Sequence, residues 1–213
     1  MYESNRFRTS FDRRMAVFPG DIVPSIKSGA TMEDNGWRTT IVNMSSHAGT
    51  HMDAPAHMLK DGEYMDELPN ETFFGFGLVI DVRHCAGRKI ELSDIKAHVK
   101  DVNFSDFLLF YTGWSDKWGT EEYMKDFPTL SEEAAKWVTK QDLKGIGFDA
   151  LSVDTVDSTT CEIHKTILGA KLVILENLTN LDKVGKKPFC MTALPISLVK
   201  QDGGSARVMA VLE

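Results

Sequence analysis

Four short runs of branched and aromatic residues constrain this chain most: 76–82 (FGLVIDV), 107–111 (FLLFY), 171–175 (KLVIL) and 206–212 (ARVMAVL). Each is far too short to cross a bilayer, and each reads as a buried strand. Between the runs the apolar period changes to that of a helix. The clearest helical pattern covers 129–143, where Thr129 is placed to cap and Glu132, three residues on, to complete a capping box. A shorter pattern covers 93–99. Strands alternating with helices predict an α/β or mixed α+β fold with a central sheet and argue against a helical bundle or a β-sandwich. The stretch up to about residue 75 is loop-rich, which is where functional loops are expected.

No repeat and no Gly/Ser/Pro-rich linker divides the 213 residues, so 1–213 is expected to form a single domain large enough to bury a core without staples. With 42% hydrophobic and 26% charged residues the composition is that of a globular chain. A net charge of -7 speaks against a nucleic-acid partner, which would need a basic face to neutralise phosphates. There is no signal-peptide-like start and no membrane-spanning run, so a cytoplasmic location without membrane partners is expected. Cys85, Cys161 and Cys190 are isolated and odd in number, which predicts free thiols that pack rather than pair.

Chemistry concentrates in one segment, His47-Ala-Gly-Thr-His51-Met-Asp53-Ala-Pro-Ala-His57, which holds three of the six histidines and one aspartate. A lone histidine is more often a satisfied core or surface residue. This density is more than packing needs, and imidazole with carboxylate is the donor set of a borderline divalent ion. Spacing then tests the backbone. On a helix His47 and His51 share a face, but Asp53 lies roughly 200° around from His51. On a straight strand His47 and His51 would stand about 13 Å apart, whereas ligands sit about 2 Å from a metal. The chain must therefore bend, with Gly49 free to supply the turn and Pro55 stiffening the exit. His47, His51 and Asp53 are expected to converge on one ion.

The same segment closely resembles the signature of the cyclase-like metal-dependent hydrolases, the family of bacterial kynurenine formamidase and isatin hydrolase. Phe18-Pro-Gly-Asp21, the stretch 148–154 (FDALSVD), His164 and Glu176 twelve residues apart, 194–198 (LPISL) and 202–207 (DGGSAR) extend the likeness over nearly the whole chain. The resemblance implies the swivelling β/β/α fold and a homodimer. It implies two divalent ions, zinc or manganese, held by His47, His51, bridging Asp53, His164 and Glu176, with His57 left for proton transfer. The family tends to carry Trp where this chain has Phe18, so the aromatic wall for substrate differs here.

Such a site implies activated water attacking a small amide: an arylformamidase-like hydrolase, with an isatin-type lactam hydrolase as the alternative. A non-catalytic protein braced by metal is the reading from a different class. Phe18 and Trp114 are the candidate substrate contacts, with Trp37 and Trp118 as further aromatics. Ser152 lacks the glycines of a nucleophile elbow. The Gly145-Ile-Gly147 pair is a weak nucleotide signal and reads better as glycine packing beside a strand.

Overall fold

The computed structural model describes residues 3–6 and 15–212. Its ten strands are β1 Glu3–Arg6, β2 Ser25–Ala30, β3 Thr39–Asn43, β4 His51–Asp53, β5 Phe74–Asp81, β6 Phe107–Tyr111, β7 Gly145–Phe148, β8 Val173–Glu176, β9 Phe189–Pro195 and β10 Gly203–Leu212. Five short helices accompany them: α1 Met32–Asn35, α2 Leu92–Lys96, α3 Val99–Val102, α4 Glu132–Val138 and α5 Glu162–Gly169. Eight strands form one sheet in the order β1-β10-β4-β8-β7-β6-β5-β9, and β9 pairs back onto β10. The sheet is thus closed into a ring with β1 appended, a mixed α+β architecture. No described helix is long and apolar enough to cross a membrane.

The apolar runs look continuous in sequence because both faces of the ring are buried. Alternate residues divide between two cores. Leu78, Ile80, Leu108, Phe110, Ile146, Phe148 and Ile174 face outward beneath α2, α4 and α5. Val79, Phe107, Leu109, Val173 and Leu175 turn inward, against Met191, Ala193, Val208 and Ala210 of β9 and β10. The interior is narrow. A Cβ on Gly147 would come within 2.7 Å of Leu178 and 2.8 Å of Leu109, and one on Gly145 within 2.6 Å of the Val173 carbonyl oxygen. These glycines therefore let β7 pack against its neighbours, and the strand carries no nucleotide loop.

Several boundaries differ from those the sequence predicts. The 129–143 helix is cut to α4, and Ser131, not Thr129, caps it by accepting the Ala134 N–H at 3.3 Å. The reason is that Leu130 is engaged in a parallel bridge with Ile90, so the chain is still extended at Thr129. The 93–99 pattern breaks into α2 and α3. The loop-rich N-terminal part contains the β2–β3 hairpin, a separate two-stranded sheet. Of the cysteines, all free, only Cys85 is core; Cys161 lines a cavity and Cys190 is exposed.

Gly145→Ala is expected to lower stability by about 1–3 kcal/mol through overpacking, read from the urea unfolding midpoint. Glycine replacement that only restricted the unfolded chain would raise the midpoint instead.

Candidate metal centre

Register brings the first residues of the site together. β4 is wedged between β8 and β10, with His51 paired to Glu176 and Asp53 paired to Gly203. His51 and Asp53, two apart on a strand, share a side. His47 lies before the strand, and the turn at Gly49, with φ 65°, folds it back until its Nδ1 is 2.7 Å from Asp53 Oδ1. The bend expected from spacing is therefore present, confined to residues before β4. His164 arrives from α5, whose first turn is fixed by Asp154: its carboxylate accepts the backbone N–H of Ile163 at 3.1 Å and of His164 at 3.0 Å.

Around Asp53 the distances are short and mutual. His51 Nε2 lies 3.2 Å from Asp53 Oδ1 and 3.4 Å from Glu176 Oε2. His164 Nε2 lies 3.4 Å from Glu176 Oε1 and 3.7 Å from Asp53 Oδ2. His51, Asp53, His164 and Glu176 are all buried. Both imidazoles are oriented from behind. His51 Nδ1 is 2.8 Å from the Gly49 carbonyl, which can only accept, so the proton is on Nδ1 and Nε2 offers a lone pair. His164 Nδ1 donates to Asp154 at 2.7 Å, with the same result.

With both rings neutral, two lone pairs face two buried carboxylates, an arrangement that is repulsive unless a metal ion or a proton lies between them. The side chains fit such an ion. Asp53 Oδ2 is fully buried with no hydrogen-bond partner among the described residues. His47, His51 and Asp53 offer ligand atoms within 4.8 Å of one another, as do Asp53, His57 and His164. Donors about 2 Å from one ion are necessarily separated by about 3 Å, which matches the spacings here. The same negative field acts on the titration of these groups, so a bound ion competes with protons here. Burial alone would raise the Asp53 carboxyl, but His51 and His47 hold it well below the usual carboxylate range. Burial opposes charge on His47 and His164 too, yet their carboxylate neighbours push each up to about 10.

A cavity of about 250 Å³ opens onto these groups, walled by Phe18, Met58, Leu151 and Val156 with Ser152 and Ser158. His57 lines it, its ring tilted 36° against that of His47 with centroids 3.9 Å apart. Burial holds the His57 imidazole below its ordinary value against the pull of Asp53, and His47 and His164 lower it further.

All five expected ligands and His57 are therefore brought to one place, and Phe18 reaches the cavity wall. Trp114 does not. Its ring is buried in the outer core, its Nε1 donates to the Tyr123 carbonyl at 3.0 Å, and Lys117 covers its face, so a substrate contact by Trp114 is corrected to a packing role. Trp37 is exposed on the loop between α1 and β3. Three residues that sequence reasoning assigned no role belong to the site's support. Asp154 orients His164, and Asn177 donates to the Gly49 carbonyl at 3.0 Å while accepting from the Tyr123 hydroxyl at 2.8 Å. Asp202 Oδ2 lies 3.1 Å from His47 Nε2. Asp154 and Asp202 stand in the motif stretches 148–154 and 202–207, the one signal that could have marked them; Asn177 had none beyond adjacency to Glu176. Asp154→Ala is expected to weaken divalent-ion affinity about 10–100-fold, measured by chelator competition.

Residues 8–155 match the Cyclase family. The kynurenine formamidase of Erythrobacter litoralis is 32% identical over 197 residues, covering 92% of this chain and 87% of its own length. That of Bacillus cereus is 30% identical over 201 residues, covering 93% and 92%. Isatin hydrolase A from Labrenzia aggregata, solved with benzyl benzoate bound, shares the fold with a TM-score of 0.89 over 99% of this chain and 94% of that one, at 22% identity. The chain belongs to the cyclase-like family of metal-dependent hydrolases.

Proposed function

We propose that this protein hydrolyses the C–N bond of a small amide or lactam, with His47, His51, Asp53, His164 and Glu176 holding one or two divalent ions, zinc or manganese. The observation that carries this reading is the pair of buried carboxylates, Asp53 and Glu176, met by Nε2 of His51 and of His164 at the floor of a cavity. A structural metal site would be closed by protein; this one opens onto space of substrate size. When bound, a divalent ion supplies Lewis acidity, which acidifies water and polarises a carbonyl.

The chain's own residues do the rest. Asp53 spans the centre, its Oδ1 toward His47 and His51 and its Oδ2 toward His164. Phe18, Met58, Leu151 and Val156 give the cavity apolar walls that would seat a flat ring and exclude bulk water. His57 takes a proton from water at Nε2, the nitrogen turned away from Asp202, and returns it to the leaving nitrogen. Its depressed basicity keeps the imidazole neutral and able to accept near pH 7.

Two substrates frame the choice: an acyclic aryl formamide, as the names of the curated relatives suggest, and a cyclic lactam, as the names of the structural neighbours suggest. Turnover of N-formylkynurenine and isatin by metal-loaded protein decides between them, and failure on both and on other small amides would refute the hydrolase. His57→Ala is expected to keep its metal content and lose about 10²–10⁴-fold in kcat. Full activity in that variant would remove His57 from the reaction.

The functional unit proposed is a homodimer. A two-stranded hairpin is marginal by itself. β2–β3 and its flanks leave Ile26, Trp37, Ile41 and Val42 at least half exposed, a surface that a second copy of the chain would cover. Sedimentation is expected to give a dimer for the wild type and a monomer for Ile41→Asp.

A further inference from the structure

One charged group at the cavity edge, Asp202, touches two histidines of the site, and only its position beside them has been described so far. Asp202 stands just before β10, where its carbonyl accepts the Ala54 N–H at 2.9 Å and the next residue, Gly203, pairs with Asp53. The backbone therefore ties Asp202 to the strand that carries His51 and Asp53. A Cβ at Gly203 would collide with His47 Cε1, so only glycine after Asp202 leaves room for that ring. Seated in this way, the carboxylate reaches two imidazoles. Its Oδ2 lies 3.1 Å from His47 Nε2 and 3.7 Å from His57 Nδ1, while its Oδ1 accepts from Ser46 Oγ at 3.0 Å. The two rings are tilted by only 36°, with centroids 3.9 Å apart.

We propose, resting on the metal-hydrolase function given above, that Asp202 is a positioning residue shared by His47 and His57: its Oδ2 draws the outward N–H of each ring, so that the other nitrogen of each faces the centre as a lone pair. For His47 the contact is a hydrogen bond, and it leaves Nδ1, 2.7 Å from Asp53 Oδ1, as the inward nitrogen. A distal N–H held by a carboxylate is how ligating histidines are usually fixed in tautomer and direction. For His57, 3.7 Å is too long for a hydrogen bond. There the carboxylate acts by charge, favouring an N–H over a lone pair at Nδ1 and leaving Nε2 as the basic nitrogen. When Nε2 takes the proton of the attacking water, a cationic ring forms beside an anion; the proton then passes to the leaving nitrogen, and Asp202 stays ionised throughout. The Asp202 side chain is 45% exposed, so solvent screens part of its field and the effect on turnover belongs at the low end of such contacts.

The test compares zinc-loaded wild type, Asp202→Ala and Asp202→Glu. Nitrogen–proton correlation spectra of the histidine rings read the tautomers of His47 and His57, and chelator competition reads zinc affinity. The expected result for Asp202→Ala is about 10-fold weaker zinc binding through His47, mixed tautomers at His57 and kcat lowered about 10-fold at unchanged KM. Asp202→Glu should restore the tautomers in part. Combined with His57→Ala, Asp202→Ala should cost little further kcat, because the two act through one proton path. Unchanged tautomers and zinc affinity in Asp202→Ala, or a fully additive loss of kcat in the double variant, overturn the proposal. The spectra and the affinity need no substrate. A wild type that binds zinc but turns over no amide would therefore sink the hydrolase reading while these two readouts still decide the role of Asp202, and a wild type that binds no zinc would sink both.

Discussion

Asp53 has no exposed surface, Glu176 has almost none, and each points its oxygens at imidazole nitrogens of rings that are hydrogen-bonded from behind through Nδ1. Removing two carboxylates from water costs several kcal/mol per ion after relaxation, and lone pairs opposite them add repulsion. Only positive charge placed among them makes the arrangement tolerable. Much of the local structure serves to keep these groups in place against that cost. Glu176 Oε1 accepts the Val153 N–H at 3.0 Å, Asp154 takes three donors from the start of α5, and Asn177 pins the carbonyl that orients His51.

The closed sheet supplies the rigidity this requires. β5 to β8 run parallel, so their carboxyl ends share one edge, and the loops leaving β7 and β8 carry Asp149, Ser152, Asp154 and Asn177 at that edge. Asp149 stays in the scaffold. Its oxygens take the backbone N–H groups of Thr112 and Gly113 at 2.7 and 2.9 Å, tying the loop after β6 to the one after β7. β4 is only three residues long, yet it is paired on both sides, which holds His51 and Asp53 as strand residues rather than loop residues. A site set on paired strands is held to tighter tolerances than one on free loops.

Some of this was legible along the chain. The run 107–111 is β6 with the same bounds, and the runs 76–82, 171–175 and 206–212 are strands with ends displaced by a few residues. The bend before His51 followed from ligand reach alone. The helix at 129–143 was overdrawn because local capping chemistry cannot register that Leu130 pairs with Ile90 far along the chain. The β2–β3 hairpin was missed because nearly all its residues are exposed, leaving no alternation to detect. Trp114 was misassigned for a similar reason: a tryptophan after an apolar strand looks the same whether it faces a cavity or the core.

The sequence by itself determined what its own short-range spacing encodes: buried strands, helices between them, and a dense cluster in which His47, His51 and Asp53 could meet only across a turn. It also carried a family likeness that named His164 and Glu176. Tertiary structure alone decided how those five side chains share one centre, that Asp154 and Asp202 stand behind the histidines, and that Phe18 rather than Trp114 walls the cavity. The physical reason is that ring closure of the sheet depends on strand pairing and on burial of both faces. Neither leaves a period in the chain, and both set which distant residues become neighbours.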